Sequence, residues 1–186
     1  PSSIFDAIMK AMGHKAADRT VAKPLQAIDS EQLHHIRGVR VLLVEDHEIN
    51  QQVATELLEQ FGCVVEVAND GLEAIEQVQK AAFDIVFMDI QMPKRDGLEA
   101  TRQIRQLASE PGQGHLSETP IVAMTAHALV GDSEKSIAAG MNDHITKPLD
   151  PEKVFEILLS WTESKGHPEE EASSKHDDQQ VDASTQ

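Results

Sequence analysis

Cysteine is nearly absent from this chain: Cys63 stands alone among 186 residues. No intrachain disulfide can form, and a single thiol fits a reducing compartment. Positive charge is scarce too. Sixteen Lys and Arg face 32 Asp and Glu, a formal net charge of −16. Such acidity argues against a nucleic-acid surface, because phosphate backbones need Lys and Arg. It suits a cytosolic module that gathers cations. No apolar run approaches the roughly 20 residues that cross a bilayer, and no signal-peptide pattern is visible. A cytoplasmic location without membrane contact is expected, and any membrane anchor would belong to a longer parent protein. The chain opens at Pro1 without Met and enters a helix-like pattern at once, which reads as a fragment.

What is present is alternation. From Val39 to Trp161, short β-branched runs are followed by amphipathic stretches. Strands are expected at 39–44, 63–68, 84–88, 120–124 and 143–145. Helices are expected at about 50–61, 70–80, 97–108, 131–139 and 151–162. Five strand–helix units imply an α/β, doubly wound parallel sheet with helices on both faces. The strands read as continuous apolar runs, as strands buried on both faces do. In the first helix Val53, Leu57, Leu58 and Phe61 share a face, and Gly62 stops it. In the last, Asp150 can act as N-cap with Pro151 in the first helical position.

Two segments flank this unit, which spans 39–162. Residues 14–38 mix polar residues with Pro24 and Gly38 and read as a linker. Residues 163–186 hold seven acidic residues and two lysines with almost nothing apolar, and read as a disordered acidic tail. Residues 1–13 echo the last helix: Pro1 matches Pro151, Phe5 matches Phe155, and Ile4 and Ile8 match Val154 and Leu158. One reading is an ordinary amphipathic helix. The other is the last helix of a preceding copy of the same domain.

In an open parallel sheet, ligands bind beyond the carboxyl ends of the strands. Glu45-Asp46, Asp89, Thr125 and Lys147 all follow such ends, so one rim collects residues scattered over about a hundred positions. Asp46 and Asp89 offer a hard cation two carboxylates, and Glu45 can join directly or through water; Mg²⁺ takes six oxygens and keeps several waters. Asp89 is a candidate nucleophile, since a carboxylate can attack a phosphoryl group and form an acyl phosphate. A metal would offset the charge that shifts during such a transfer. Lys147 supplies a point positive charge and Thr125 a hydroxyl for phosphoryl oxygens. The Lys147–Pro148 bond has the X-Pro form that admits a cis peptide. Taken singly, each has a plain alternative: strand-end acids in solvated loops, a surface lysine, a routine threonine.

The segments Val41-Leu-Leu-Val-Glu-Asp46, Met88-Asp-Ile-Gln-Met-Pro93, Asp96-Gly-Leu-Glu-Ala-Thr-Arg102, Ile121-Val-Ala-Met-Thr-Ala126 and Gly140-Met-Asn-Asp-His-Ile-Thr-Lys-Pro148 resemble the receiver domain of two-component response regulators. More narrowly, they resemble the C-terminal receivers of bacterial hybrid sensor histidine kinases. The resemblance covers about 38–162. It implies a flavodoxin-like fold with five helices and strand order 2-1-3-4-5. It implies Mg²⁺ dependence (Mn²⁺ as a substitute), phosphorylation of Asp89, and a backbone-carbonyl metal ligand at Gln91. It also implies a switch in which Thr125 moves inward and an aromatic ring follows. His144 holds the ring position, where Phe or Tyr is commoner. Gln91 and His127 match positions that tune the lifetime of the phosphoryl group. The chain departs from the common pattern at His47 and at Arg95, where Lys94 and Arg95 put positive charge on a loop near the acidic pocket.

No helix carries a phosphodonor histidine: His34-His35 lacks the acidic residue and Pro of a kinase dimerisation helix, and there is no Gly-rich ATP box. The chain is expected to accept a phosphoryl group from a phosphohistidine, on a kinase dimerisation helix or a histidine phosphotransfer domain. Docking would use Ile49, Asn50 and Val53 and the loop at Pro148. An alternative is the receiver of a stand-alone response regulator whose output domain is not in this chain. A haloacid-dehalogenase-type phosphatase needs a second Asp where Gln91 stands. A flavin module needs a Ser-, Thr- or Gly-rich phosphate loop where Glu45-Asp46 stands. A receiver that is never phosphorylated would not need the full set of acids, hydroxyl and lysine.

Overall fold

The computed structural model describes residues 30–92, 96–126 and 130–162. Five strands, β1 (Arg40–Val44), β2 (Val64–Ala68), β3 (Ile85–Asp89), β4 (Ile121–Thr125) and β5 (Asp143–Thr146), form one sheet in the order β2-β1-β3-β4-β5. Every pairing is parallel. The helices are α1 (Ser30–Ile36), α2 (Glu48–Gln60), α3 (Gly71–Lys80), α4 (Gly97–Leu107), α5 (Val130–Ala139) and α6 (Pro151–Thr162). Each strand and helix expected between 39 and 162 is found, with ends shifted by a residue or two. The flavodoxin-like topology is the expected one.

Alternate strand residues feed two cores, as the two-residue period of a strand requires. Val41, Leu43, Ile85, Phe87, Val122 and Met124 pack against Leu57 and Leu58 of α2, Phe61 just after it, and Val154, Phe155 and Leu158 of α6. Leu42, Val44, Val86, Met88, Ile121 and Ala123 pack on the other side against α3 and α4. Phe61 and Phe155 meet with ring centroids 5.4 Å apart. The central strands β1, β3 and β4 are buried almost throughout, whereas β2 at the sheet edge is half-exposed. Gly62 ends the turn after α2 at φ 86°, and Asp150 Oδ1 caps α6 by accepting from Glu152 N at 3.0 Å.

One expectation needs correction. The stretch read as linker, 14–38, ends in a helix. α1 packs on α6, Ile36 is fully buried, and Leu33 lies against the same core. A seven-residue helix has little stability alone, and this one is held by burial of its two apolar residues rather than by propensity. The rest of that stretch, the helix expected at 1–13, the tail at 163–186, and Lys94, Arg95 and His127 lie outside the described residues.

α4 comes close to the end of β3. A Cβ on Gly97 would stand 2.1 Å from the backbone oxygen of Asp89 and 2.9 Å from Met88 Cγ. Only glycine lets the helix start there, and Gly97 N donates to Ile90 O at 3.1 Å. The carboxyl end of β3 is therefore held by helix backbone directly.

Candidate functional site

The sheet brings Glu45, Asp46, Asp89, Thr125 and Lys147 to one rim. Glu45 follows β1, and its N–H still pairs with Ala68 O of β2 at 3.1 Å. Asp89 is the last residue of β3 and lies opposite Met124 of β4, one position before Thr125. Thr125 in turn pairs with Thr146 of β5, and Lys147 N donates to Thr125 O at 2.7 Å. Backbone pairing across three strands thus fixes the Asp89 carboxylate, the Thr125 hydroxyl and the lysine relative to one another. The Lys147–Pro148 peptide is cis.

Lys147 Nζ donates to Asp89 Oδ2 at 2.5 Å and also to Glu45 Oε2. The other oxygen of Asp89, Oδ1, accepts from the backbone N of Gln91 at 2.9 Å. Glu45 and Asp89 are buried, 2% and 4% exposed, and Asp46 is more open. Carboxylate oxygens of Glu45, Asp46 and Asp89 all lie within 4.8 Å of one another. Three carboxylates around one ammonium leave a surplus of two negative charges. Burial lifts the Asp89 carboxyl above its ordinary range, against the pull of Lys147 and the Gln91 N–H. Burial works against the Lys147 charge, but its bonds to Asp89 and Glu45 outweigh that and raise it. Both groups are thus pushed toward their protonated forms, Asp89 by burial and Lys147 by its two carboxylate partners. Clustered hard oxygens with two unbalanced charges fit a divalent cation such as Mg²⁺.

Of the expected site residues, Glu45, Asp46, Asp89, Thr125 and Lys147 come together. Gln91 reaches the cluster through its amide, which holds Asp89. His144 is exposed on β5, three residues before Lys147.

Two residues of this site carried no expectation of contact with it. Asn50 Nδ2 donates to Glu45 Oε1 at 2.8 Å, and Gln51 Nε2 donates to Glu45 O at 2.6 Å and to Asn69 Oδ1 at 2.9 Å. Asn69 continues to Glu73, whose Oε2 accepts from Asn69 N and Nδ2, both at 2.8 Å. Those two bonds, the backbone one first, hold the Glu73 carboxyl below its ordinary range. The only sequence signal was a pair of amides in the first turn after a strand-end acid.

A family model described as the response regulator receiver domain matches residues 41–159. Among curated proteins, the sensor protein GacS of Pseudomonas syringae pv. syringae is 40% identical over 126 residues, which is 68% of this chain and 14% of that protein. The signal transduction histidine-protein kinase BarA of Escherichia coli K12 is 37% identical over 129 residues, 69% of this chain and 13% of that protein. The chain thus spans about a seventh of the curated relatives it matches. Among solved structures, the receiver domain of the sensor histidine kinase PA1611 from Pseudomonas aeruginosa PAO1, with magnesium in its active-site cleft, is 36% identical. It superposes with a TM-score of 0.60 over 68% of this chain and 98% of that one. The receiver domain of Saccharomyces cerevisiae Ssk1, in complex with the histidine phosphotransfer protein Ypd1, is 28% identical with a TM-score of 0.64, over 72% and 95%.

Proposed function

The chain belongs to the response regulator receiver family of two-component phosphorelays, and we propose that it accepts a phosphoryl group on Asp89 from a phosphohistidine. One observation carries this reading: Asp89, buried at the end of β3, is bonded to Lys147 and has a carboxylate oxygen within 4.8 Å of those of Glu45 and Asp46. A carboxylate oxygen of Asp89 attacks phosphorus, the P–N bond of the donor breaks, and its electron pair returns to the imidazole. The product is an acyl phosphate on Asp89 and a free histidine. The Gln91 N–H keeps the carboxylate oriented. Lys147 exchanges its bond to Asp89 for one to a phosphoryl oxygen, and the Thr125 hydroxyl donates to another.

Asp46, Asp89 and, from its carbonyl, Gln91 would hold Mg²⁺, with Glu45 joining directly or through water; Mn²⁺ would substitute. The ion would offset charge on the transferring phosphoryl oxygens. Thr125 is the proposed switch residue. The exposure of His144 supports no inward ring in this state.

The receiver is proposed to act inside a hybrid histidine kinase, as its relatives GacS and BarA suggest by name. Its donor is a helical histidine domain of a kinase or a phosphotransfer protein, as in the Ypd1 complex. Ile49, 59% exposed in the first turn of α2, supports docking beside the site. Among the described residues no helix is long and apolar enough to cross a membrane; a cytosolic position, with any anchor elsewhere in the parent, is part of the proposal. Residues 1–13 are proposed to come from the last helix of a preceding receiver. In α6 the buried Val154, Phe155 and Leu158 have apolar counterparts in Ile4, Phe5 and Ile8, while the exposed Glu152, Lys153 and Glu156 face polar Ser2, Ser3 and Asp6. The parent polypeptide just upstream of Pro1 should then repeat a Lys-Pro dipeptide, as Lys147-Pro148 precedes Pro151; any other sequence there removes this support.

Incubation with acetyl phosphate and Mg²⁺ tests the central claim. Wild type should gain one phosphoryl adduct, lost on chelation of the metal and absent in Asp89→Asn. An adduct that survives the substitution refutes the assignment.

A further inference from the structure

Glu45 is almost fully buried, and a buried carboxylate needs donors for both oxygens. Its oxygens are divided between two partners. Oε2 accepts from Lys147. Oε1 accepts from Asn50 Nδ2 at 2.8 Å, with the backbone N of His47 a marginal second donor at 3.4 Å. The next residue, Gln51, grips the Glu45 carbonyl at 2.6 Å. Two consecutive residues in the first turn of α2 therefore hold one acid, one by its side chain and one by its backbone. Lys147 bonds two carboxylates, Glu45 and Asp89. To meet an incoming phosphoryl oxygen it must release Asp89, the group being modified. The bond that stays is the one to Glu45.

We propose that Asn50 is a positioning residue for phosphoryl transfer. It keeps Glu45 Oε2 on Lys147, so that Glu45 reaches the cation through water rather than directly and the ammonium holds its place while Asp89 reacts. This rests on the reading of Asp89 as the acceptor. Without the amide, Oε1 loses its donor inside a buried pocket. The nearest remedy is rotation toward the cation, since oxygens of Asp46 and Asp89 lie within 4.8 Å. Two quantities then move in opposite senses: Mg²⁺ binds tighter, and transfer at saturating Mg²⁺ slows. A substitution that merely loosened the fold would weaken both.

The test is a double-mutant cycle on wild type, Asn50→Ala, Glu45→Gln and the double variant. Calorimetric titration with Mg²⁺ alone is paired with phosphorylation by acetyl phosphate at saturating Mg²⁺. Asn50→Ala should lower the Mg²⁺ Kd about threefold and slow phosphorylation about fivefold, the scale of one charge-assisted hydrogen bond partly replaced by water. In the Glu45→Gln background the same change should leave the Mg²⁺ Kd within about 1.5-fold. Unchanged or weaker Mg²⁺ binding in Asn50→Ala, an unchanged rate, or an affinity change that persists with Glu45→Gln overturns the proposal. Acetyl phosphate has no protein surface to dock, so a docking role for Asn50 leaves these readouts unmoved. If wild type itself takes no phosphoryl group, the acceptor reading of Asp89 fails, while the calorimetric cycle still judges Asn50.

Discussion

The two ends of the sheet hold buried charge in opposite ways. At the carboxyl end, three carboxylates cluster around one ammonium that bonds two of them, and two negative charges stay unbalanced. At the amino end, Arg105 of α4 is half-buried and, among the described residues, bonds no carboxylate. Its Nε donates to Gly140 O at 2.9 Å, its Nη1 to Thr119 O at 2.9 Å and to Leu116 O, and its Nη2 to Asn142 Oδ1 at 2.7 Å. Asn142 Oδ1 also accepts from Ile121 N at 2.9 Å, so the starts of β4 and β5 are tied to α4 through one guanidinium. Burial lowers the Arg105 pKa, yet its donors are matched by neutral oxygens. A charge saturated with dipoles is finished and builds the fold. A cluster with charge left over calls for a ligand, and that is what separates a site from a strut.

The largest expected effect lies at the unbalanced end. Lys147→Ala should slow phosphorylation by acetyl phosphate about 10²- to 10³-fold at saturating Mg²⁺, as loss of one preorganised donor to a transferring group does. A rate within tenfold of wild type would mean that Lys147 balances charge without touching the phosphoryl group. Arg105→Ala should do the reverse. It takes the guanidinium from three backbone carbonyls and from Asn142 Oδ1, which keeps Ile121 N, and should cost about 3 kcal/mol in urea unfolding. The folded protein, well below its midpoint, should still phosphorylate within about twofold of wild type. A large loss of rate there would break the division between the two ends.

Gly97→Ala probes where the ends meet, because α4 spans them. The added Cβ would fall 2.1 Å from Asp89 O, so β3 or the helix must shift. Overpacking of this kind costs about 1–3 kcal/mol, and here the displaced backbone carries Asp89, the proposed acceptor. Stability and phosphorylation should fall together, unlike in either variant above. Mg²⁺ offers a smaller, reversible probe. At ten times its Kd the ion should stabilise the protein by about 1.4 kcal/mol. Arg105→Ala should keep that increment and Asp46→Asn should lose it, as chemical denaturation with and without chelator would report.

The carboxyl end was legible in the sequence and the amino end was not, for a physical reason. Asp46, Asp89, Thr125 and Lys147 are chemically distinctive, and parallel topology alone brings strand ends to one rim. Arg105 bonds mostly backbone carbonyls, which every residue has, so no spacing announces it. Asn50 and Gln51 look like ordinary polar residues of an exposed helix face until the carboxylate they hold is seen. α1 escaped notice because a seven-residue helix stabilised by Ile36 and Leu33 shows no long period.

The smallest expected effect concerns Cys63, just before β2 at the amino end. Burial, with the nearby Asp84 charge second, pushes its thiol up to about 12. A thiol raised in the fold favours its neutral form. Its contribution to stability is fully present below the ordinary pKa of 9.0 and is lost as pH rises toward about 12. Between pH 7 and 8.5 it should therefore add no pH dependence. Thiolate is the reactive species, so iodoacetamide at pH 8 should leave the folded protein unlabelled and label it readily in urea. Fast labelling of the native state would mean that the amino end opens on that timescale. Closure, the property that sets it apart from the cation-hungry rim, would then belong to Arg105 alone.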